Sequence, residues 1–498
     1  MSQHTSPATT GKTAAAPTDS ATNLSSGTLT TSSIVFMVIA AAAPLTVIGG
    51  ALPIGMATGN GAGYPTMYAV GAAILILFSV GLTTMSKFID EPGAFYSYVE
   101  TTFGRRLGMG TAYLALLTYT AIQFAVYGFL GAQLSLLVEP LVSIPWWAFS
   151  LATAAVVGYL GYRSIELSSK ALGVLLIAEI AIVVVIDMVV AGRGGAEGLN
   201  ADPFLPENIF SGSMGVGLMM AMAGFIGFES TTVFRSEARD PDRTIPRATY
   251  ISVAIIGLFY TVSGWAIVQA WGADSVLDAA TSDPDGMIAT TAENYLGAWA
   301  GPVVEVLLLT SLFACVLSFH NVLTRYQHAI SHKRGLPRKL RAVHLTYRSP
   351  HMSSIVQTST IAILTVVCAV IGMDPVAEIF TWFSGLATFT IVILMLMVSV
   401  AVIVYFRSRP ELKLSAWKRT IAPVLAFLGL ATACTLIVTN LPVLVGGSQT
   451  VAVLLALSAP VAFITGVICS TFVPEYDDKV ITRNMEKRMS RDAGDTSR

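Results

Sequence analysis

The chain has 498 residues, 54% of them apolar and only 12% charged, with a formal net charge of −1 and a mean hydropathy of +0.69. Soluble domains carry about 25% charged residues, so a chain with half that share faces a second, apolar solvent. So neutral a balance offers no electrostatic footprint for nucleic acid.

Residues 1–32 are rich in Ser, Thr and Ala and lack the apolar core of a signal peptide, which predicts a disordered cytoplasmic tail. A helix crosses the hydrocarbon layer in about 20 mostly apolar residues. Twelve such runs follow, at 33–57, 66–86, 108–138, 145–163, 168–191, 212–235, 246–271, 302–331, 353–373, 376–406, 419–440 and 449–472, and a second tail occupies 473–498. The expected class is therefore an all-α integral membrane protein. The four cysteines, Cys315, Cys368, Cys434 and Cys469, fall inside these runs without CxxC spacing and read as small hydrophobes, not as a disulfide framework or metal site.

Orientation follows from Lys and Arg, which accumulate on the cytoplasmic side. With the N-terminus inside, 28 of the 29 basic residues fall on that side and only Arg193 outside. Both termini and the basic 331–352 stretch are then cytoplasmic, in the cell membrane. The histidines of that stretch (His332, His344, His351) belong to a basic loop, and no nucleic-acid partner is expected. His320, inside the eighth run, reads as a hydrogen-bonded packing residue.

Two runs are interrupted, five apart. The first contains Pro44 and Pro53 with Gly49-Gly50 between them; the sixth contains Gly224, Gly227 and a carboxylate, Glu229. Proline removes a donor and clashes with the preceding turn. One such break would be an ordinary packing kink, but a matched pair in two halves is the sequence pointer to a transporter binding site. Half-helix N-termini suit an anion and freed carbonyls a cation, which together fit a zwitterion of amino-acid type. Intramembrane carboxylates are costly, about 2.5–3.5 kcal/mol on insertion scales. Glu179 and Glu229 lie closest to mid-span and are candidates for coupling or gating, whereas Asp187, Glu305 and Glu378 lie nearer the outer ends. Gln123 and Tyr127, four apart on one helical face, are candidate lining residues or ordinary interhelical hydrogen-bonders. The sequence contains no phosphate loop for ATP and no catalytic or metal cluster at useful spacing, so neither enzyme chemistry nor a cofactor is expected.

The stretch Gly224-Phe225-Ile226-Gly227-Phe228-Glu229-Ser230, then Glu237-Ala238-Arg239-Asp240-Pro241 and Ile245-Pro246-Arg247-Ala248, resembles the amino acid–polyamine–organocation (APC) superfamily of permeases. Asp90-Glu91-Pro92-Gly93-Ala94-Phe95-Tyr96 with Phe103-Gly104, and Asn321, Arg325-Tyr326 with Gly335-Leu336-Pro337, resemble two further family motifs in the same order. The resemblance implies a five-plus-five inverted-repeat core over 33–406 (repeats 33–191 and 212–406) with broken helices 1 and 6, and two additional helices over 407–472. It implies that the main chain of Thr46, Val47, Ile48 and Gly49 holds the substrate carboxylate. Carbonyls at Phe225, Ile226 and Gly227, with Phe228 beside them, would take the amino group. Three positions depart from relatives: Pro44-Leu45-Thr46 replaces a Gly-Ser-Gly-like segment, Ala223 stands where the arginine/agmatine antiporter has a gating Trp, and Glu179 stands where many relatives place a lysine. The expected function is secondary transport of amino acids, coupled to protons through Glu229, Glu179 or both. A polyamine or amine permease is the runner-up, kept alive by Glu179; a transporter-like sensor is disfavoured by the short stretch after 472.

Overall fold

The computed structural model describes residues 29–89, 95–163, 169–236, 238–333, 335–344, 346–347 and 349–471. Residues 1–28 of the expected N-terminal tail, the expected tail at 473–498, Asp90–Ala94 and Glu237 lie outside the described residues. What is described is helical throughout; one isolated bridge pairs Leu29 with Ala238.

Among the described residues, ten helical segments are long and apolar enough to cross a membrane. The first, Thr31–Phe88, is 58 residues long, roughly 87 Å at 1.5 Å per residue and far more than one bilayer. It reverses at 59–63, where Gly59 leaves helical dihedrals and Gly61 takes φ +52°. Pro65 then opens the helix Tyr64–Met85, where a missing N–H costs nothing. The helix Trp146–Tyr162 adds 17 residues, the short end of the crossing range.

Observed bounds lie within a few residues of the expected ones for most runs. The largest difference is in Pro241–Trp271, which begins five residues before the expected 246. Pro241 sits in its first turn, so Pro246 falls inside a helix that was expected to start there.

The two interrupted runs are tied to each other at both ends. At one end the Ser213 N–H donates to the Gly59 carbonyl at 2.8 Å, and Asn60 Nδ2 donates to the Ile209 carbonyl at 3.1 Å. A methyl built on Gly59 would lie 2.8 Å from Gly217 Cα, so the two backbones meet where neither has a side chain. At the other end the Arg239 N–H donates to the Leu29 carbonyl at 3.0 Å, next to Thr30, which caps Thr31–Ala42 through the Ser33 N–H.

Around this pair the core is closed by Tyr64–Met85, Arg105–Val138, Pro241–Trp271, Ala300–His332 and Thr381–Arg407. Ala422–Leu444 packs on Tyr64–Met85, Met214–Ala223 and Thr381–Arg407, and Gln449–Thr471 packs on Arg105–Val138.

Candidate functional site

The first run breaks at Ala43, just ahead of the Thr46–Gly49 segment that the resemblance implies for the substrate carboxylate. Thr31–Ala42 ends there with Ala43 at φ 46°, ψ 71°, one of two non-glycine residues with positive φ among those described. Pro44 restarts the helix, since its ring forbids continuation but suits a first turn. Thr46 (φ −60°, ψ −39°) and Val47 (φ −71°, ψ −47°) are helical. Val47–Ala51 then forms one wide turn, closed by the Leu52 N–H on the Val47 carbonyl. The Val47 N–H bonds the Ala43 carbonyl, so Leu45 and Thr46 carry the orphan donors of a new helix start.

The sixth run breaks where expected. Met214–Ala223 ends at Gly224, tight turns follow, Gly227 takes φ +112°, and Phe228–Ser236 continues as a narrow helix. The two breaks face each other. A methyl on Gly224 would lie 3.0 Å from Val47 Cγ1 and 3.1 Å from the Tyr260 ring, and one on Gly227 would lie 3.6 Å from Ala41 Cβ. The Tyr260 hydroxyl donates to the Ala42 carbonyl at 3.3 Å, satisfying one acceptor freed by the first break. Its ring packs edge-on against Phe225, with centroids 6.0 Å apart.

Glu229 is 3% exposed. Its Oε1 accepts from the Tyr119 hydroxyl at 2.6 Å and its Oε2 from the Gly227 N–H at 2.9 Å. Both partners donate, so the carboxyl is held as an acceptor at the bend of the chain that carries it. Ser230 and Thr232 hydroxyls return to the Gly227 and Glu229 carbonyls, closing the turn. Glu179 is 4% exposed and faces Ser311 of Ala300–His332. Ser311 in turn accepts from the Thr46 hydroxyl at 3.1 Å. The second carboxylate therefore reaches the restarted first helix through one serine.

Not all expected lining residues gather there. Ile48, Ile226 and Phe228 are buried beside the breaks, Phe228 edge-on to Phe78 at 6.2 Å, and Gly49 backs onto Leu308. Gln123 is committed elsewhere. Its Nε2 donates to the Val316 carbonyl at 3.2 Å and its Oε1 accepts from Gln357 Nε2, which belongs to a helix three runs beyond the sixth. Tyr127 is buried, and its carbonyl accepts from Ser150. Tyr119, one turn before Gln123 on the same helix, is the residue that meets Glu229. It was missed although its spacing from Gln123 marked it as sharing that face. His320 bonds Ser354 at 2.9 Å, the packing role expected of it. Asp187 accepts from Ser263 and Glu378 from the Asp374 N–H.

The amino acid permease family model matches residues 33–479. The low-affinity putrescine importer PlaP of Escherichia coli is 24% identical over 351 residues, 68% of this chain and 74% of that protein. The branched-chain amino acid permease BcaP of Bacillus subtilis is 22% identical over 407 residues, 77% and 83% of the two chains. Among solved structures, a mutant of the manganese transporter of Eremococcus coleocola superimposes with a TM-score of 0.56 over 89% of this chain and 94% of that one, at 13% identity, a likeness of fold alone. With a match spanning nearly the whole hydrophobic length, this multi-pass membrane chain belongs to the amino acid permease family.

Proposed function

We propose that this chain is a secondary carrier of amino acids across the cell membrane, working by alternating access and coupled to protons. The observation that supports it best is the pairing of the two breaks. A new helix start at Pro44–Thr46 offers N–H groups to a carboxylate. The turns at Gly224–Gly227 stand opposite, with Glu229 anchored beside them. Main-chain groups of this kind recognise what all amino acids share. A carboxyl buried at such a bend is costly in its charged form, so taking up or losing a proton changes how firmly Tyr119 and the Gly227 N–H hold it. That change biases which way the segment opens.

Twelve crossings follow if the two arms of Thr31–Phe88 are counted separately and Trp146–Tyr162 is added to the ten. On this reading, 33–191 and 212–406 are the two repeats and 407–472 the added pair. Uptake of a panel of labelled amino acids and polyamines into proteoliposomes, with an imposed proton or sodium gradient, tests the proposal. Accumulation of amino acids that follows the proton gradient and is abolished by Glu229→Gln is the expected outcome; sodium-driven uptake indifferent to protons would end the coupling proposal.

An amine substrate is the second reading, favoured by the placement of Glu179. An acid stands behind Ser311 and Thr46, where it can meet a substrate cation. On that reading Glu179→Gln weakens uptake of cationic substrates and leaves neutral amino acids unaffected.

A further inference from the structure

Below Glu229 a column of tyrosines runs toward the end of the bundle that carries the 331–352 stretch. The Tyr119 hydroxyl holds Glu229, and its ring stands edge-on to Tyr326 with centroids 6.1 Å apart. Tyr326 stands edge-on to Tyr96 at 5.5 Å. Lys333 Nζ lies 5.2 Å from the centre of the Tyr96 ring and 2.7 Å from Glu100 Oε2. The column thus begins at a buried carboxylate and ends at a half-buried ion pair, with three helices each supplying one ring.

Two features mark it as a part that moves. Tyr96 and Glu100 share the short helix Phe95–Phe103, which joins Arg105–Val138 through Gly104 at φ +89°. A Cβ built on Gly104 would meet no atom of the described residues within 4 Å, and its positive φ is one that glycine adopts without strain, so the joint itself is free of side-chain constraint. The Tyr326 hydroxyl, in addition, is buried without a hydrogen-bond partner among the described residues. A buried hydroxyl left unpaired is a cost borne by the closed arrangement, and one that opening to water removes.

We propose that Tyr326 and Tyr96, fastened at their outer end by the Glu100–Lys333 ion pair, are the gate that closes the path between Glu229 and the cytoplasm. The proposal rests on the transporter reading and orientation given above. Closed, the rings seal the path below Glu229. Opening swings the Phe95–Phe103 helix about Gly104, breaks the ion pair and hydrates Tyr326.

The test reads accessibility and uses no substrate, so its failure is separate from failure of the transport assignment. The four native cysteines are replaced by alanine and a single cysteine is placed by Ile122→Cys, on the deep side of Tyr119. An impermeant thiol reagent is applied from the cytoplasmic face of inside-out vesicles. Glu100→Gln and Lys333→Gln each raise the labelling rate about fivefold, the scale of an ion pair at this exposure, and Tyr326→Ala raises it further. The exchanged pair, Glu100→Lys with Lys333→Glu, returns the rate toward that of the parent. Unchanged labelling in both single-charge variants and in Tyr326→Ala overturns the gate. So does an exchanged pair that labels as fast as the single variants, since the effect would then owe nothing to the pairing.

Discussion

Gly227 adopts φ +112° and presents its N–H to Glu229 at 2.9 Å, so one residue sets both the bend and the hold on the carboxylate. A methyl group there would meet Ala41 Cβ at 3.6 Å, an ordinary contact. Space is therefore not the obstacle to Gly227→Ala; the backbone conformation is, at about 1–3 kcal/mol. Relieving that strain rotates the N–H away from Glu229. Gly227→Ala is expected to lose about tenfold in substrate affinity while reaching the membrane in normal amounts, as equilibrium binding and surface expression would reveal. Native affinity in a well-expressed variant would remove Gly227 from the site. Ala43 shows the limit of reading residues singly. Pro44 disfavours the helical conformation at Ala43 and so forces an interruption there, but the φ of 46° that Ala43 takes is written neither in its own identity nor in that of the proline.

At the scale of elements, the two breaks were legible because Pro and Gly act on the local backbone whatever surrounds them. Their register was less so. Two prolines and two glycines at 44–53 admit a break anywhere from the residue before Pro44 onward, and the chain resolves it at Ala43 with a wide turn at Val47–Ala51. Spacing left interhelical hydrogen bonding open for Gln123 but could not say which helices it would join. Gln123 shares a face with Tyr127, yet it joins a chain of amides in which Gln327 Nε2 donates to Gln357 Oε1 and Gln357 Nε2 to Gln123 Oε1, both at 2.8 Å. Gln123 then donates to the Val316 carbonyl. Three helices are joined by groups that lipid could not satisfy. Gln357→Leu would leave an acceptor on Gln123 and a donor on Gln327 without their partners, at about 1–3 kcal/mol for each buried group. The expected result is a lower melting temperature in detergent with substrate specificity unchanged. A changed specificity at native stability would place Gln123 and Gln357 in the substrate path instead.

For the whole molecule, membrane class and family were readable because composition and short motifs carry them without any knowledge of packing. Partners of the buried carboxylates and of the freed Ala42 carbonyl were not, since Tyr119, Ser311 and Tyr260 reach the breaks from helices distant in sequence. Orientation stands between these cases: it rests on charge, and charge acts on insertion, not on the folded contacts. The structure supplies the positions at which to test it. Lys339 is exposed in the 331–352 stretch, and Asp274 is exposed in the segment expected on the opposite side. Leu340, by contrast, is buried and would react slowly from either side. With the native cysteines replaced, Asp274→Cys should react with an impermeant reagent in intact cells, whereas Lys339→Cys should react only after lysis. The reverse pattern would invert the protein. The tyrosine column would then face the exterior, and the new helix start at Pro44–Thr46 would point its N–H groups toward the other side of the membrane.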